Sequence, residues 1–307
     1  MKSIKSKISK IISKNFEVYE HDFNINYIDH SILDRNQIYE FKIKKKDYII
    51  KISFNYNNWK NELKVQEMLK NFDFTPKAVY KGSEDNYNYI IMKKINGNPS
   101  IKQINKLNKD NREKFIYNLG LVLGKIHSYK EFDFYGSWNE NGSKSLINYR
   151  KEKDFNIVRR IRENSIDDKT VEKGIKILEN ERKNLKNSRP KLTHKDFSLR
   201  NILIDNSGKL TGVLDFEHSV PEDPSMDICS LYHSSIIDST YDFDVFKSGY
   251  EIINKFPYNF INNKKYYLVN TGLYLCGKFY SEKCEIYSRG LKLINKGLIY
   301  KDISLTF

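Results

Sequence analysis

The sequence predicts an α+β protein, a small antiparallel sheet toward the amino terminus followed by a larger, mainly helical remainder. Three observations lead there. Residues 37–54, "QIYEFKIKKKDYIIKISF", alternate apolar and polar side chains on both sides of a lysine-rich turn, which is the period-2 signature of a hairpin. Residues 59–70, "WKNELKVQEMLK", then change to a helical period through Leu63, Val65, Met68 and Leu69. Beyond about residue 95, long helical patterns take over.

Taken in order, "MKSIKSKISKIISKNF" repeats Ile4, Ile8, Ile11 and Ile12 at helical spacing beside a lysine face, so a helix packed on its own domain is predicted. A membrane-surface or partner helix is the alternative; lysines interrupt the apolar residues throughout, which excludes an export signal. After the hairpin and the 59–70 helix come two strands, "TPKAVY" and "YNYIIMKKI", around the turn "KGSEDN", closing a strand, strand, helix, strand, strand unit near Ile95. Gly97 and Pro99 in "NGNPS" punctuate a hinge. "REKFIYNLGLVLGKIHSY" then places Phe115, Leu119, Val122, Leu123 and Ile126 on one side, with Gly120 and Gly124 allowing a close helix neighbour. His127 in that helix reads as a packed or capping residue rather than a metal ligand, because no second ligand type stands at helical spacing. "YGSWNENGSKS" is a loop, 151–187 a charged helical region, and 241–303 returns to helices dense in Tyr and Phe.

Composition narrows the function. The 307 residues are 39% hydrophobic, enough for a substantial core. Cys229, Cys276 and Cys284 are too few and too irregular for a disulfide framework or a four-ligand zinc site, which points to buried thiols in a reduced, cytoplasmic setting. No stretch approaches the roughly 18 apolar residues of a membrane span, so no membrane partner is expected. The net charge of +14, from 53 Lys and Arg against 39 Asp and Glu, invites nucleic-acid binding. The lysines are spread from end to end, however, and no recognition signature accompanies them, so a nucleic-acid partner is not expected.

The chemistry lies in "HKDFSLRNILIDNSGKLTGVLDFEHS", residues 194–219. "NILID" and "LTGVLDF" form strands joined by the turn "NSGK", a hairpin with Asn201 at its entrance and Asp215 at its exit. Asp196 lies just before it. His-x-Asp with Asn five residues on is the spacing of kinase catalytic loops, where the Asp accepts a hydroxyl proton and the Asn holds a metal ion. Taken singly, Asp and Asn at strand ends are ordinary turn formers; the combined pattern is far less common. Two carboxylates and an amide oxygen suit Mg²⁺, a hard cation that keeps places for substrate phosphates. Phosphoryl transfer also requires a cation for those phosphates, held by a carboxylate, and Lys51 in "DYIIKIS", followed by Glu62 and Glu67 in the next helix, offers one.

Those residues resemble the aminoglycoside phosphotransferase and choline kinase family of small-molecule kinases over most of residues 30–235. The resemblance is carried by "NQIYEF", "YIIKI", "FTPKAVY", "YIIMKKINGNP", "LGLVLGKIHS", "HKDFSLRNILI", "GVLDFE" and "PEDPSMDICSL". It implies a two-lobed, protein-kinase-like fold, with a nucleotide-binding lobe over residues 1–95 and a catalytic and substrate-binding lobe over 96–307. It also implies Asp196 as catalytic base or hydroxyl positioner, Asn201 and Asp215 as Mg²⁺ ligands, and Lys51 as phosphate clamp oriented by Glu62, with Glu67 as the alternative. Lys93 and Ile95 would offer backbone groups to the base of ATP or GTP. Asn36 is the best match in the phosphate loop "HSILDRNQIY", which lacks the family's glycine. His194 and Asp227 would support the catalytic loop. A small residue commonly stands where this chain has Lys195, and "DFE" with no "APE" element argues for a small hydroxylated acceptor over a protein.

An aminoglycoside acceptor is a polycation and requires carboxylates around it; Glu217, Glu222, Asp238, Glu282 and Glu285 are the candidates, with solvated surface charge as their plainer reading. Choline, ethanolamine or a sugar is the alternative acceptor, and a catalytically silent binding protein the alternative outside enzymes, against which the joint presence of Lys51, Asp196, Asn201 and Asp215 argues. A monomer is expected.

Overall fold

A computed structural model describes residues 2–28, 36–84, 86–138, 142–233, 236–237, 239–280 and 285–300. In chain order the strands are β1 (Ile25–Ile28), β2 (Asn36–Ile43), β3 (Lys46–Ser53), β4 (Ala78–Glu84), β5 (Tyr87–Lys93), β6 (Asn98–Pro99), β7 (Lys191–Thr193), β8 (Ile202–Ile204), β9 (Leu210–Val213) and β10 (Val220–Glu222). The helices are α1 (Lys2–Phe16), α2 (Tyr56–Met68), α3 (Lys109–Ser128), α4 (Leu146–Glu163), α5 (Lys169–Arg182), α6 (Ser225–His233), α7 (Thr240–Glu251), α8 (Tyr258–Phe279) and α9 (Glu285–Ile299). The chain divides into two compact units, residues 1–106 with 200–219 and residues 107–199 with 220–307. No helix among the described residues is long and apolar enough to cross a membrane.

The first unit is built on an antiparallel sheet of order β1-β2-β3-β5-β4. The expected hairpin is β2 with β3, and its two-residue turn places Lys44 and Lys45 both at positive φ (47° and 66°); that turn geometry matches strand twist but usually selects Asn or Gly. Alternation along the strands then sorts the two faces. Phe41, Tyr48, Ile50, Ile52 and Ile91 join Ile8, Ile11 and Ile12 of α1 in one apolar cluster, and Phe16 meets Phe41, Tyr48 and Tyr80 edge-on. The amino-terminal helix therefore packs on its own unit. Lys51, between Ile50 and Ile52, points to the other face.

Helix α2 covers that other face. Its buried residues are Glu62, Val65 and Gln66, with Leu69 just beyond, so the inward stripe is rotated from the expected Leu63, Val65, Met68 and Leu69, of which Leu63 and Met68 are only half-buried. Asn55 caps the helix by accepting from the Asn58 amide at 3.0 Å. A second sheet of order β6-β8-β9 completes the unit. β6 follows Gly97, whose φ is 145° and where an added β-carbon would lie 3.0 Å from the Ile204 carbonyl, so the position requires glycine.

The second unit is mainly helical, with β7 and β10 as a two-stranded ribbon. Helices α3 and α7 approach so closely that a β-carbon on Gly120 would run into the Phe246 carbonyl oxygen, and one on Gly124 would lie 2.9 Å from that of Tyr250. The glycines read from the sequence as permitting a close neighbour do so here. Because the obstruction at Gly120 is backbone, Gly120→Ala is expected to destabilise the protein by about 1–3 kcal/mol, as overpacking does. A fall in the urea midpoint at unchanged slope would show it. Elsewhere in the unit, the buried Asp154 accepts from Arg182 (2.9 Å), Tyr266 (2.9 Å) and Asn270 (2.8 Å), satisfying a carboxylate that burial alone would make costly. Cys229 and Cys276 are free and buried, and burial pushes each thiol up to about 12.

Candidate active site

In the first unit, three stretches converge on Lys51. Its ammonium is buried and lies 2.6 Å from Glu62 on α2, 2.7 Å from Asp215 and 2.9 Å from Glu217. Desolvation would lower its pKa, yet Glu62, Asp215 and Glu217 together hold it well above the ordinary lysine range. Burial raises the Glu62 carboxyl, with Lys51 opposing. Glu67 instead faces solvent and pairs with Lys70 at 2.6 Å, so Glu62 is the Lys51 partner. The hairpin β8–β9 delivers the carboxylates as its pattern predicts: Ile202 pairs with Val213, the Leu214 amide donates to the Asn201 carbonyl at 2.7 Å, and Asp215 follows in left-handed backbone (φ 66°), an uncommon conformation for a residue other than glycine.

Glu217 is the residue that sequence reasoning misplaced. The sequence offers it for the acceptor pocket. In the structure it is buried, accepts from Asn36 Nδ2 at 2.7 Å and faces Lys51. Ser53 donates to Asn36 Oδ1 at 3.0 Å, and Asn61 donates to the carbonyls of Glu217 and Ser219 at 2.7 and 2.8 Å. Its position two residues past Asp215, inside one tight turn, was the available signal. Asn36 is thus placed beside Glu217, whereas residues 30–35 of the phosphate loop lie outside the described residues. Lys93 ends β5 opposite Tyr48, and Ile95 lies against Gly212.

Glu62, Asp215 and Glu217 each present an oxygen within 4.8 Å of the others. The Lys51 ammonium takes the centre of these three carboxylates and leaves a formal excess of negative charge; the hard oxygen donors of Asp215 and of the Asn201 side chain are the type that fits Mg²⁺. Asp215, with a side chain 33% exposed, is the open member, since Glu62 and Glu217 are 2% and 4% exposed.

The second unit holds the loop that carries Asp196. Strand β7 leads into it, and both oxygens of the buried Asp227 accept backbone amides, from His194 at 2.6 Å and Lys195 at 2.7 Å. His127 Nε2 lies 3.0 Å from the same carboxylate and its Nδ1 2.9 Å from the Tyr250 hydroxyl. His127 is therefore a packed residue, as expected. Burial would raise the Asp227 carboxyl; its bonds to His127 and the His194 amide hold it below the usual range. The Asp196 amide donates to His194 Nδ1 at 3.2 Å, so the buried His194 side chain braces the half-buried Asp196.

Of the other acceptor-pocket candidates, Glu222 is buried against Arg150 and Lys195, and Glu285 pairs with Arg289 one turn along α9. Asp238 and Glu282 lie outside the described residues.

The profile of the phosphotransferase enzyme family matches residues 35–250. The chain belongs to that family. No curated protein sequence matches this phosphotransferase; its relatives by structure are numerous. A thermostable mutant of aminoglycoside phosphotransferase APH(4)-Ia, in ternary complex with AMP-PNP and hygromycin B, superposes with a TM-score of 0.73 at 12% identity, covering 95% of this chain and 97% of that one. Spectinomycin phosphotransferase APH(9)-Ia, with ADP and spectinomycin, gives 0.66 at 13% identity over 97% and 95%. Aminoglycoside phosphotransferase APH(2'')-Ib, bound to ADP, gives 0.60 at 19% identity over 96% and 99%. Family and fold together make this chain a small-molecule phosphotransferase with a kinase-like fold, an antiparallel-sheet amino-terminal part and a helical carboxyl-terminal part.

Proposed function

We propose that this phosphotransferase moves the γ-phosphoryl group of ATP or GTP to a hydroxyl of an aminoglycoside antibiotic in the cytoplasm, so inactivating the drug. The observation that carries the reading is the buried Lys51 ammonium bound to Glu62 and reaching Asp215, a cation fixed in place before any phosphate arrives. Lys51 holds phosphate oxygens, and Glu62 keeps it aimed. Asn201 and Asp215 would hold Mg²⁺, which when bound withdraws charge from the phosphates. Asn36, with the backbone at Lys93 and Ile95, orients the nucleotide.

Asp196 orients the acceptor hydroxyl and takes its proton as the new oxygen–phosphorus bond forms; the bond from the γ-phosphorus to the bridging oxygen breaks, and the nucleoside diphosphate leaves. His194 and Asp227 keep Asp196 in place. Most of the acceleration comes from alignment and charge compensation, without a covalent enzyme intermediate.

A second reading has a specific observation behind it. Glu217 and Glu222 are neutralised inside the fold by Lys51, Arg150 and Lys195, which removes two of the carboxylates a polycation would use and favours a less charged acceptor such as choline, ethanolamine or a sugar. The deciding experiment is Mg²⁺-dependent transfer from ATP and from GTP across aminoglycosides, choline, ethanolamine and simple sugars. We expect turnover on an aminoglycoside. Turnover on choline, ethanolamine or a sugar alone would move the protein to metabolism, and nucleotide binding with no transfer to any acceptor would overturn the enzyme reading.

A further inference from the structure

The loop carrying Asp196 is held in two places, and Asp227 accounts for only one. Lys195 adopts left-handed backbone (φ 68°), where a side chain is disfavoured and glycine is at ease. Its ammonium meets Glu222 Oε2 in a close ion pair. Glu222 ends β10, which pairs with β7 directly before the loop, and its carboxylate is fully buried. The other carboxylate oxygen meets Arg150 of α4, and the neighbouring Tyr149 hydroxyl donates to Oε2 at 3.2 Å. Arg150 is 2% exposed, lying 5.7 and 5.8 Å from the Tyr149 and Tyr267 ring centres.

A residue with an unfavourable backbone angle is thus tied through its side chain to a sealed carboxylate, and that carboxylate is tied to a helix. Moving the ammonium away would leave Glu222 to Arg150 alone, in a site that no water reaches to replace the lost contact, so the tether is stiff. Lys195 also precedes Asp196 directly, and rotation of its backbone would swing the Asp196 carboxylate. We propose that the Lys195–Glu222 ion pair is a latch by which α4, through Arg150 and Tyr149, positions Asp196 for phosphoryl transfer. Lys195 and Glu222 are positioning residues in this scheme, which rests on Asp196 being the group that handles the acceptor hydroxyl.

The test uses Lys195→Gly, which suits the left-handed angle and so preserves folding, together with Lys195→Arg, Glu222→Gln and the double variant Lys195→Gly/Glu222→Gln. Misplacement by about 1 Å can cost up to about 100-fold in rate, so kcat is expected to fall about 10- to 100-fold in Lys195→Gly with the KM for the nucleotide unchanged, and to recover in Lys195→Arg. The double variant should fall no further than the worse single one, because both break the same contact. Amide hydrogen exchange should quicken across residues 194–199 in Lys195→Gly and stay unchanged in α3. Loop exchange and kcat both at the wild-type level in Lys195→Gly would overturn the latch. If the wild-type protein transfers phosphate to no acceptor, the functional reading fails by itself, and loop exchange alone decides the latch: faster supports it, unchanged refutes it.

Discussion

Asp196→Asn is expected to lower turnover by about 10²–10⁴-fold, the range for losing a positioned proton acceptor, while nucleotide affinity stays near the wild-type value. The two effects separate because Lys51, Asn36 and Asp215, assigned to the nucleotide, lie on other segments, and Asn201 is the last residue of the Asp196 loop, anchored where β8 begins. The amide variant has the size of the native side chain, and contacts that shape the loop are made by other groups: the Asp196 amide on His194 Nδ1, the His194 and Lys195 amides on Asp227 and the Lys195 ammonium on Glu222. The loop should therefore keep its form and lose only the acceptor. Steady-state kinetics beside nucleotide titration checks this. Turnover within threefold of wild type would remove Asp196 from the proton step, and a parallel loss of nucleotide affinity would show that it serves binding instead.

The residues that were legible in advance share a property: their placement follows from periodicity over a few neighbours. Lys51 faces α2 because it alternates with Ile50 and Ile52 on a strand whose other face is covered by α1. Asp215 returns to Asn201 because a short turn joins two apolar strands. Glu62 and Glu67 were harder to separate, since both lie on the right helix and the choice depends on helical phase. The phase was present but misread: Glu62, Val65, Gln66 and Leu69 follow the i, i+3, i+4, i+7 stripe that is buried, while Glu67 falls outside it. Two polar members hid that stripe from a search for apolar residues. Glu217 and Glu222 could not be placed by periodicity at all. Each is buried because of cations distant in sequence, Lys51 for one and Arg150 for the other, and a buried charge in a local pattern reads as a surface charge until its partner is known.

Lys51→Met should have the other large effect, and here the direction of its pH dependence discriminates between causes. Removing the ammonium leaves Glu62, Asp215 and Glu217 facing one another, two of them almost sealed from water. Breaking a buried ion pair by deleting one partner typically costs about 3–5 kcal/mol, and loss of the phosphate clamp is expected to lower turnover by at least about 10²–10³-fold, as for other positioned electrostatic donors. Burial already raises the Glu62 carboxyl, with Lys51 as the opposing influence, so in the variant it must rise further above its unfolded value of about 4.3. A carboxyl raised in the folded state binds its proton more tightly there, and the stability it contributes is present at low pH and disappears as pH climbs through the folded pKa. Lys51→Met, measured with a chelator present, should accordingly gain more stability than the wild-type protein as pH is lowered from 8 toward 5. Were Lys51 merely filling space, methionine would replace its stem and the two profiles would run parallel. Parallel profiles would therefore show that the three carboxylates do not share the Lys51 charge, and with that the phosphate clamp would lose its electrostatic basis.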